Sequence, residues 1–156
     1  ALGPAAALRG GNGNDILVAG NGEDFLFGGN GNDRLFGGLG HDWLQGDRGN
    51  DWMVGGDGRD SFVFGKSNGV DTVADFDKDD DRLVLLDGIF VTGNALVDAN
   101  GDGQADLRID LSSRGSVTLL GINSLSGVTI DSYAAATTFS AGEPLGWLHH
   151  EAMPLV

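Results

Sequence analysis

The stretch that decides the fold runs from residue 10 to residue 63. It reads GGNGNDILV, AGNGEDFLF, GGNGNDRLF, GGLGHDWLQ, GDRGNDWMV and GGDGRDSFV, which are six consecutive units of nine residues. In every unit the fourth position is Gly, the sixth is Asp and the eighth is apolar. The sixth-position residues are Asp15, Asp24, Asp33, Asp42, Asp51 and Asp60. A period that is kept over consecutive copies predicts a repeat architecture.

Each unit is predicted to form a six-residue turn followed by a three-residue strand. Because side chains alternate along a strand, the eighth position lies on one face and the seventh and ninth on the other. The apolar eighth position is therefore expected to point into a core. Glycines in the turn permit positive φ and close backbone approach, which stacked turns require.

The unit GGxGxDxUx, in which U is apolar, resembles the RTX (repeats-in-toxin) calcium-binding nonapeptide. The resemblance implies an all-β, right-handed parallel β-roll in which two nonapeptides form one coil and residues 18 apart stack. Ala19 and Asp47 depart from the pattern, each standing in place of Gly.

Calcium takes six to eight oxygen ligands from carboxylates and carbonyls, and these turns offer such oxygens. The resemblance implies about four or more Ca²⁺ ions between stacked turns. Each ion would be held by carbonyls two and four plus Asp of one turn, and by carbonyls one and three plus Asp two repeats later. On one side the implied ligands are Gly11, Gly13, Asp15, Gly28, Asn30 and Asp33, then Gly29, Gly31, Asp33, Gly46, Arg48 and Asp51. On the other side they are Gly20, Gly22, Asp24, Gly37, Leu39 and Asp42, then Gly38, Gly40, Asp42, Gly55, Asp57 and Asp60.

Ordinary strand patterns follow the repeats, at 70–76, 82–86, 107–111, 117–120 and 128–130. Residues 62–88 resemble the segment after the repeats in type I secreted serralysin proteases, lipases and mannuronan C5-epimerases. We expect four regions: an N-terminal flank at 1–9, the roll at 10–63, a β-rich cap continuous with it at 64–133, and a tail at 134–156.

A second metal loop is a candidate between residues 98 and 106. Its oxygen-bearing side chains are those of Asp98, Asn100, Asp102, Gln104 and Asp106, which copy the first half of an EF-hand loop. The twelfth position is Ile109 instead of Glu, so an Asx-rich hairpin turn is an equal alternative.

Composition and net charge limit the classes of molecule that the chain can bind. The 156 residues include 23 acidic and 9 basic side chains, a net charge of −14, and no Cys. This charge opposes binding to nucleic acid or to anionic membrane surfaces and favours metal cations. No apolar run approaches the 18 residues that a membrane-spanning helix requires.

Catalytic motifs are incomplete. Gly65-Lys66-Ser67-Asn68-Gly69 fits the G-x-S-x-G pattern, but a strand rather than a helix is predicted after it. No HExxH pattern occurs, and the histidines are His41 in a repeat turn and the pair His149-His150. We therefore predict no catalytic residue and no enzyme activity for this chain.

The resemblance implies a module of a secreted protein of a Gram-negative bacterium, exported by type I secretion machinery and joined to an upstream domain. The tail, which ends Glu151-Ala152-Met153-Pro154-Leu155-Val156, is similar to type I secretion signals, although an ordinary C-terminus is the alternative. The competing function is binding of an anionic polysaccharide, a polyuronate, through Arg34, Arg48, Arg59 or Arg82. The outward strand positions are apolar, and we expect a flanking segment or parent domain to cover them, or an aromatic platform for sugar rings.

Overall fold

The computed structural model describes residues 3–133, and these residues form thirteen β-strands. The strands are β1 (Ala7–Asn12), β2 (Ile16–Asn21), β3 (Phe25–Asn30), β4 (Arg34–Leu39), β5 (Trp43–Arg48), β6 (Trp52–Asp57), β7 (Ser61–Phe64), β8 (Val70–Val73), β9 (Arg82–Leu85), β10 (Val91–Val97), β11 (Asp106–Leu111), β12 (Ser116–Leu119) and β13 (Thr129–Ser132). The predicted tail signal and the pair His149-His150 lie outside the described residues.

The strands from β1 to β9 alternate between two sheets, and β10, β11 and β12 then all join the second sheet. Sheet A has the order β1-β3-β5-β7-β9-β13, and sheet B has the order β10-β11-β12-β8-β6-β4-β2. Within the repeats the pairing is parallel, and partners are 18 residues apart, as Leu17 is from Leu35 and Leu26 from Leu44. The all-β roll with two nonapeptides in each coil is thereby confirmed.

The core is a column of the eighth-position side chains. Leu26, Leu35, Leu44, Met53 and Phe62 are each fully buried. They come alternately from the two sheets and pack between them, which confirms the predicted inward orientation. Burial of each such side chain stabilises the fold by about 1.5–3 kcal/mol.

The repeat strands are longer than predicted. β2, for example, begins at the seventh position of its unit, Ile16, and continues to Asn21, the third position of the next unit. The ladder extends because Gly20 pairs with Gly38 in the same parallel register as the apolar residues before it. The turn is correspondingly short, and in the first unit residues 13–15 connect β1 to β2.

The roll also continues beyond the nonapeptides. Val73 of β8 stacks on Met53, and Leu83 of β9 stacks on Phe62, although the spacing is no longer 18. At the other end, β1 begins at Ala7, so part of the expected N-terminal flank adds a strand to sheet A. The nonapeptide period therefore finds only part of the stacked structure.

A β-hairpin closes one edge of sheet B. β10 and β11 are antiparallel, β11 pairs antiparallel with β12, and β12 returns to the parallel arrangement on β8. The strands predicted at 107–111, 117–120 and 128–130 correspond to β11, β12 and β13 within two residues, whereas β10 was not predicted. Among residues 3–133, no helix has the length and apolar character needed to cross a membrane.

Candidate metal centre

The sixth-position aspartates lie at the bends between strands, on both edges of the roll. Asp24, Asp33, Asp42, Asp51 and Asp60 are at most 3% exposed, although the residues that follow Asp24, Asp33 and Asp51 face solvent. A buried carboxylate is costly unless it is hydrogen-bonded or neutralised. The sequence pattern predicted that these aspartates lie in a recurring turn, as they do. Because their carboxylates are buried, each needs a hydrogen-bond donor or a cation as a partner.

One carboxylate oxygen of each stacked aspartate accepts a backbone hydrogen bond. The amide N–H of Asp15 donates to Oδ1 of Asp33 at 2.7 Å, and that of Asp33 donates to Oδ1 of Asp51 at 2.7 Å. On the other edge, Asp24 donates to Asp42 at 2.8 Å and Asp42 to Asp60 at 2.9 Å. The aspartates thus form two ladders that run along the roll, which we call the aspartate ladders.

The second carboxylate oxygen has no protein partner in most of these residues. Oδ2 of Asp15, Asp33, Asp42, Asp51 and Asp60 is buried and accepts no hydrogen bond. Oxygen atoms in this state are rare in folded proteins, because leaving a buried acceptor unsatisfied costs about 1–3 kcal/mol and more for a charged group. A cation is the partner that this arrangement fits.

Backbone carbonyls bound the same space. A methyl group placed on Gly10 would lie 2.6 Å from Oδ2 of Asp15 and 2.6 Å from the carbonyl oxygen of Gly28. A methyl group on Gly37 would similarly meet Oδ2 of Asp42 and, at 2.6 Å, the carbonyl oxygen of Gly55. The absence of a side chain at the first position therefore keeps a carboxylate oxygen and a carbonyl oxygen of two different turns facing a common space.

Oxygen chemistry of this kind selects a hard cation. Within residues 3–133, no three His, Cys, Asp or Glu side chains gather to hold a metal ion by themselves. The available ligands for a cation between two stacked turns are therefore two aspartate carboxylates together with backbone carbonyl oxygens. This set suits calcium, which accepts carbonyl oxygens, better than zinc, which prefers nitrogen and sulfur.

The third-position carbonyls, which the resemblance named as ligands, already accept one hydrogen bond. The amide of Gly13 donates to the carbonyl of Asn30, and the amide of Gly31 to that of Arg48, both at 2.8 Å. The same pattern joins Gly22 to Leu39 on the opposite edge. A carbonyl oxygen has two lone pairs, so each keeps one for another partner.

Burial raises the pKa of several ladder carboxyls. It raises the pKa of Asp51 to about 6 and that of Asp60 to about 7, from an ordinary value of 3.8. Backbone hydrogen bonds oppose these increases, and the charges of nearby aspartates, such as Asp33 beside Asp51, add to them. The pKa of Asp42 is also raised, again mainly by burial. Without a cation, the ladders therefore hold protons more tightly than free carboxylates do.

Ala19 makes one turn different. It occupies the first position of its unit, where the units of Asp15, Asp33 and Asp42 have glycine, and its side chain packs against the hydrophobic core. The set of Gly20, Gly22, Asp24 and their partners in 37–42 therefore differs from the other three implied sites in carrying a side chain at the first position.

The loop from 98 to 106 uses its oxygens internally. Asp98 accepts the amides of Gly101 and Gly103, and Asp102 accepts that of Gln104. Asp106, which is fully buried, accepts the amides of Ala99 and Gly121. The predicted set Asp98, Asn100, Asp102, Gln104 and Asp106 thus lies in the β10–β11 hairpin turn, and metal binding there stays a prediction.

The four arginines named for a polyuronate do not share one surface. Arg34 is in sheet B, whereas Arg48 and Arg82 are in sheet A. Arg59 and Arg82 each form an ion pair, with Asp80 and Asp131 respectively. Of the outward apolar residues, Ile16 and Val18 are more than 60% exposed, so nothing in residues 3–133 covers that end of sheet B.

Comparison with known proteins supports the same chemistry. A model of the RTX calcium-binding nonapeptide repeat (4 copies) matches residues 9–44 and 36–71. The extracellular lipase LipA of Serratia marcescens has a TM-score of 0.59 and 28% identity over 79% of this chain, which spans 20% of that lipase.

A subunit of the mannuronan C5-epimerase of Azotobacter vinelandii has a TM-score of 0.57 over 94% of this chain and 92% of its own. At 24% identity this second likeness concerns the fold alone. No curated protein matches the sequence. Residues 9–71 therefore carry repeats that match the RTX calcium-binding nonapeptide, a repeat that binds Ca²⁺.

Proposed function

We propose that the chain is a calcium-folded, non-catalytic β-roll module of a secreted Gram-negative bacterial protein. The observation that carries the proposal is the set of buried, unpartnered Oδ2 atoms on the aspartate ladders. Each of these oxygens lies where two stacked turns meet, so ion binding and stacking of the turns are one process.

The residues that hold the ions are the four sets implied by the repeat family. Two sets lie on the edge of Asp15, Asp33 and Asp51, and two on the edge of Asp24, Asp42 and Asp60. In each set the earlier aspartate contributes Oδ2. In the sets of Asp15, Asp33 and Asp42 the glycine at the first position leaves room for an ion, whereas the set of Asp24 has Ala19 there. Bound Ca²⁺ supplies two positive charges per site, which offset part of the net charge of −14.

Calcium-free repeats are expected to be largely unfolded at neutral pH. The ladders then place like charges in a buried environment, and the glycine-rich turns lose much conformational entropy when they order. Binding energy is folding energy in such a module. We expect folding near the 10⁻⁴–10⁻³ M affinities that are typical of extracellular calcium modules.

This dependence would serve export. An unfolded module passes through a type I secretion channel from a low-calcium cytosol and folds on meeting external calcium. A roll at residues 10–63, a β-rich cap at 64–133 and a secretion signal within 134–156 would then be parts of a longer protein with its own upstream domain. The folded module would support folding of that domain.

Calcium titration followed by circular dichroism tests the folding step. The strand signal should appear with added Ca²⁺ and disappear with chelator. Magnesium at the same concentration should not replace calcium, because Mg²⁺ demands near-ideal octahedral geometry and retains its water. Equal strand content in calcium, magnesium and chelator would overturn the proposal.

Fusion of residues 134–156 to a passenger protein tests the export step separately. Co-expression with a type I secretion system should release the passenger into the medium. A fusion that ends at residue 133 is the matched control and should stay inside the cell. Equal release of both fusions would remove the tail from the account without affecting calcium binding.

A further inference from the structure

We propose two further calcium sites, in the turns where the nonapeptide motif is lost. One lies between turns 46–51 and 66–71, and the other between turns 55–60 and 76–81. The inference rests on the calcium-binding function proposed above, because it extends the same chemistry to residues that the repeat pattern does not include.

The aspartate ladders continue into both later turns. The amide N–H of Asp51 donates to Oδ1 of Asp71 at 3.0 Å, 20 residues later. The amide N–H of Asp60 donates to Oδ1 of Asp81 at 2.9 Å, 21 residues later. Asp71 and Asp81 are buried as deeply as the repeat aspartates, at 1% and 3% exposure. Insertions have lengthened the spacing between stacked aspartates from 18 to 20 and 21 residues, but Asp71 and Asp81 still occupy the next position of each aspartate ladder.

The unpartnered oxygens of Asp51 and Asp60 face these later turns. In each ladder aspartate, Oδ1 accepts the amide of the preceding turn. Oδ2 lies on the opposite side. For Asp33, a methyl group on Gly28 would meet both Oδ2 and, at 2.7 Å, the carbonyl oxygen of Gly46 in the following turn. Oδ2 of Asp51 lies against Gly46, and Oδ2 of Asp60 against Gly55, as Oδ2 of Asp33 lies against Gly28. We therefore infer that these two oxygens face 66–71 and 76–81.

These two oxygens are not used by the four repeat sites. In those sets Asp51 and Asp60 belong to the later turn, so their Oδ2 atoms, directed away from the earlier turn, remain without a partner. Both side chains are more than nine-tenths buried. Each therefore calls for a cation beyond the four implied sites.

Turn 66–71 stacks closely on its neighbour, although the hydrogen bond between them differs from that of the repeats. In the repeats the glycine of the earlier turn donates, as Gly31 does to the carbonyl of Arg48, whereas here the glycine of the later turn donates. Gly69 stands two residues before Asp71, as the fourth-position glycine does in every repeat, and its amide donates to the carbonyl of Gly49 at 3.1 Å. A methyl group on Gly69 would overlap that carbonyl oxygen, as one on Gly49 would overlap the carbonyl of Gly31. The close stacking that brings carbonyls to an ion is thus retained.

Turn 76–81 is more acidic. Asp75 accepts the amides of Gly55 and Gly56, both at 2.9 Å, which fixes a further carboxylate beside the turn of Asp60. Asp81 accepts the amide of Asp77 through Oδ2, so this carboxylate is held by two turns at once. The carboxylates of Asp75 and Asp81 thus both accept amides from residues 55–60, and their negative charge favours a cation beside this turn.

The ladders end after these turns. Val117 pairs with Asp71 in the next layer of sheet B, and Ile130 lies beside Leu83 in the next layer of sheet A. Neither layer supplies another aspartate in register. At the opposite end, Ala6 takes the ladder position and donates its amide to Asp24 at 2.6 Å without offering a carboxylate. The two added sites thus complete the series.

Calcium counting on the full chain tests the proposal. We would dialyse the protein against excess Ca²⁺ and measure bound calcium by mass spectrometry of the folded chain. Asp71→Asn and Asp81→Asn keep the Oδ1 acceptor of the ladder and remove the charge, and each should lower the count by one ion. Glu23→Gln is the control, because its carboxylate is exposed in a repeat turn and belongs to none of the ligand sets, and it should leave the count unchanged.

The outcomes separate the two proposals. No bound calcium in the unmodified chain would overturn the function itself. Bound calcium with an unchanged count in either Asp71→Asn or Asp81→Asn would overturn the added sites alone. If a variant fails to fold, the anomalous difference map of a calcium-loaded crystal of the unmodified chain decides. Calcium peaks beside Oδ2 of Asp51 and of Asp60 would support the sites, and the lack of either peak would overturn them.

Discussion

The amide N–H of Asp33 donates to Oδ1 of Asp51 at 2.7 Å, across one coil of the roll. This bond uses Oδ1 of Asp51 and leaves its other oxygen, Oδ2, buried without a hydrogen-bond partner, as it is in Asp33, Asp42 and Asp60. Stacking and ion binding are therefore coupled at the level of a single side chain. The predictions below follow from that coupling.

Close stacking should make Gly29 more sensitive to substitution than Gly11. Their φ angles are nearly equal, at 106° and 104°, so Gly→Ala introduces similar backbone strain at both. A methyl group on Gly29 would overlap the carbonyl of Gly11 in the turn below, whereas the space beside Gly11 is open. Gly29→Ala should destabilise the calcium-loaded fold by about 1–3 kcal/mol more than Gly11→Ala, measured by urea unfolding. Equal destabilisation would contradict the stacking argument.

The first position should set calcium affinity. Gly28→Ala fills the space between Oδ2 of Asp33 and the carbonyl of Gly46, so the calcium midpoint of folding should rise about tenfold. Ala19→Gly opens the corresponding space beside Asp24 and should lower the midpoint. Gly65→Ala is the control, since no atom lies within 4 Å of its added methyl group. A midpoint that is the same in all three variants would remove this role from the first position.

The calcium-free chain should gain structure as pH falls. Burial raises the pKa values of Asp60 and Asp71 to about 7 in the fold, from an ordinary value of 3.8. Between these values the folded state binds more protons than the unfolded state, so its stability is greatest below about pH 4 and is lost as pH rises through about 7. Circular dichroism of the calcium-free chain should show more strand at pH 5 than at pH 8. The reverse order would contradict the burial of these carboxyls.

Protons should also compete with calcium. The same raised pKa values mean that Asp60 and Asp71 are partly protonated below about pH 7, and a protonated carboxyl is a poor calcium ligand. In the folded state a proton and a calcium ion therefore exclude each other at these carboxyls. Because protonation also stabilises the calcium-free fold relative to the unfolded chain, whose carboxyls stay ionised at these pH values, the calcium midpoint of folding should fall as pH is lowered from 8 to 6. A midpoint that is constant over this range would show that these carboxyls do not contribute to the calcium-dependent transition.

The unbroken period of nine predicted a repeat of turn and strand, and its resemblance to the RTX nonapeptide implied the roll. The eighth-position residues from Leu26 to Phe62 fill the core, and their spacing of nine is visible without structural information. The repeat pattern did not identify Asp71 and Asp81 as ladder residues, because insertions shift them to 20 and 21 residues after their partners. The signal that would have found them is an Asp followed two residues later by a buried apolar residue, Val73 or Leu83.

Two other features could not be predicted from residue spacing: the role of the 98–106 loop and the oxygen that stays unpartnered in each ladder aspartate. Asp98 and Asp102 satisfy the spacing of a metal loop, yet a hairpin turn with the same residues satisfies their oxygens through backbone amides. Spacing cannot distinguish these outcomes, because both need short oxygen-bearing side chains. Which oxygen of each ladder aspartate stays unpartnered likewise depends on the stacking of turns, which no local sequence encodes.

The most direct test of the central claim is a heteronuclear NMR titration of the full chain with calcium. The claim predicts a narrow amide spectrum for the repeats in chelator at neutral pH. On adding Ca²⁺, the amides of Asp15, Asp33 and Asp42 should move to dispersed positions that are protected from hydrogen exchange. A dispersed and protected set of these amides in chelator would contradict the claim that ion binding and folding of the repeats are one process.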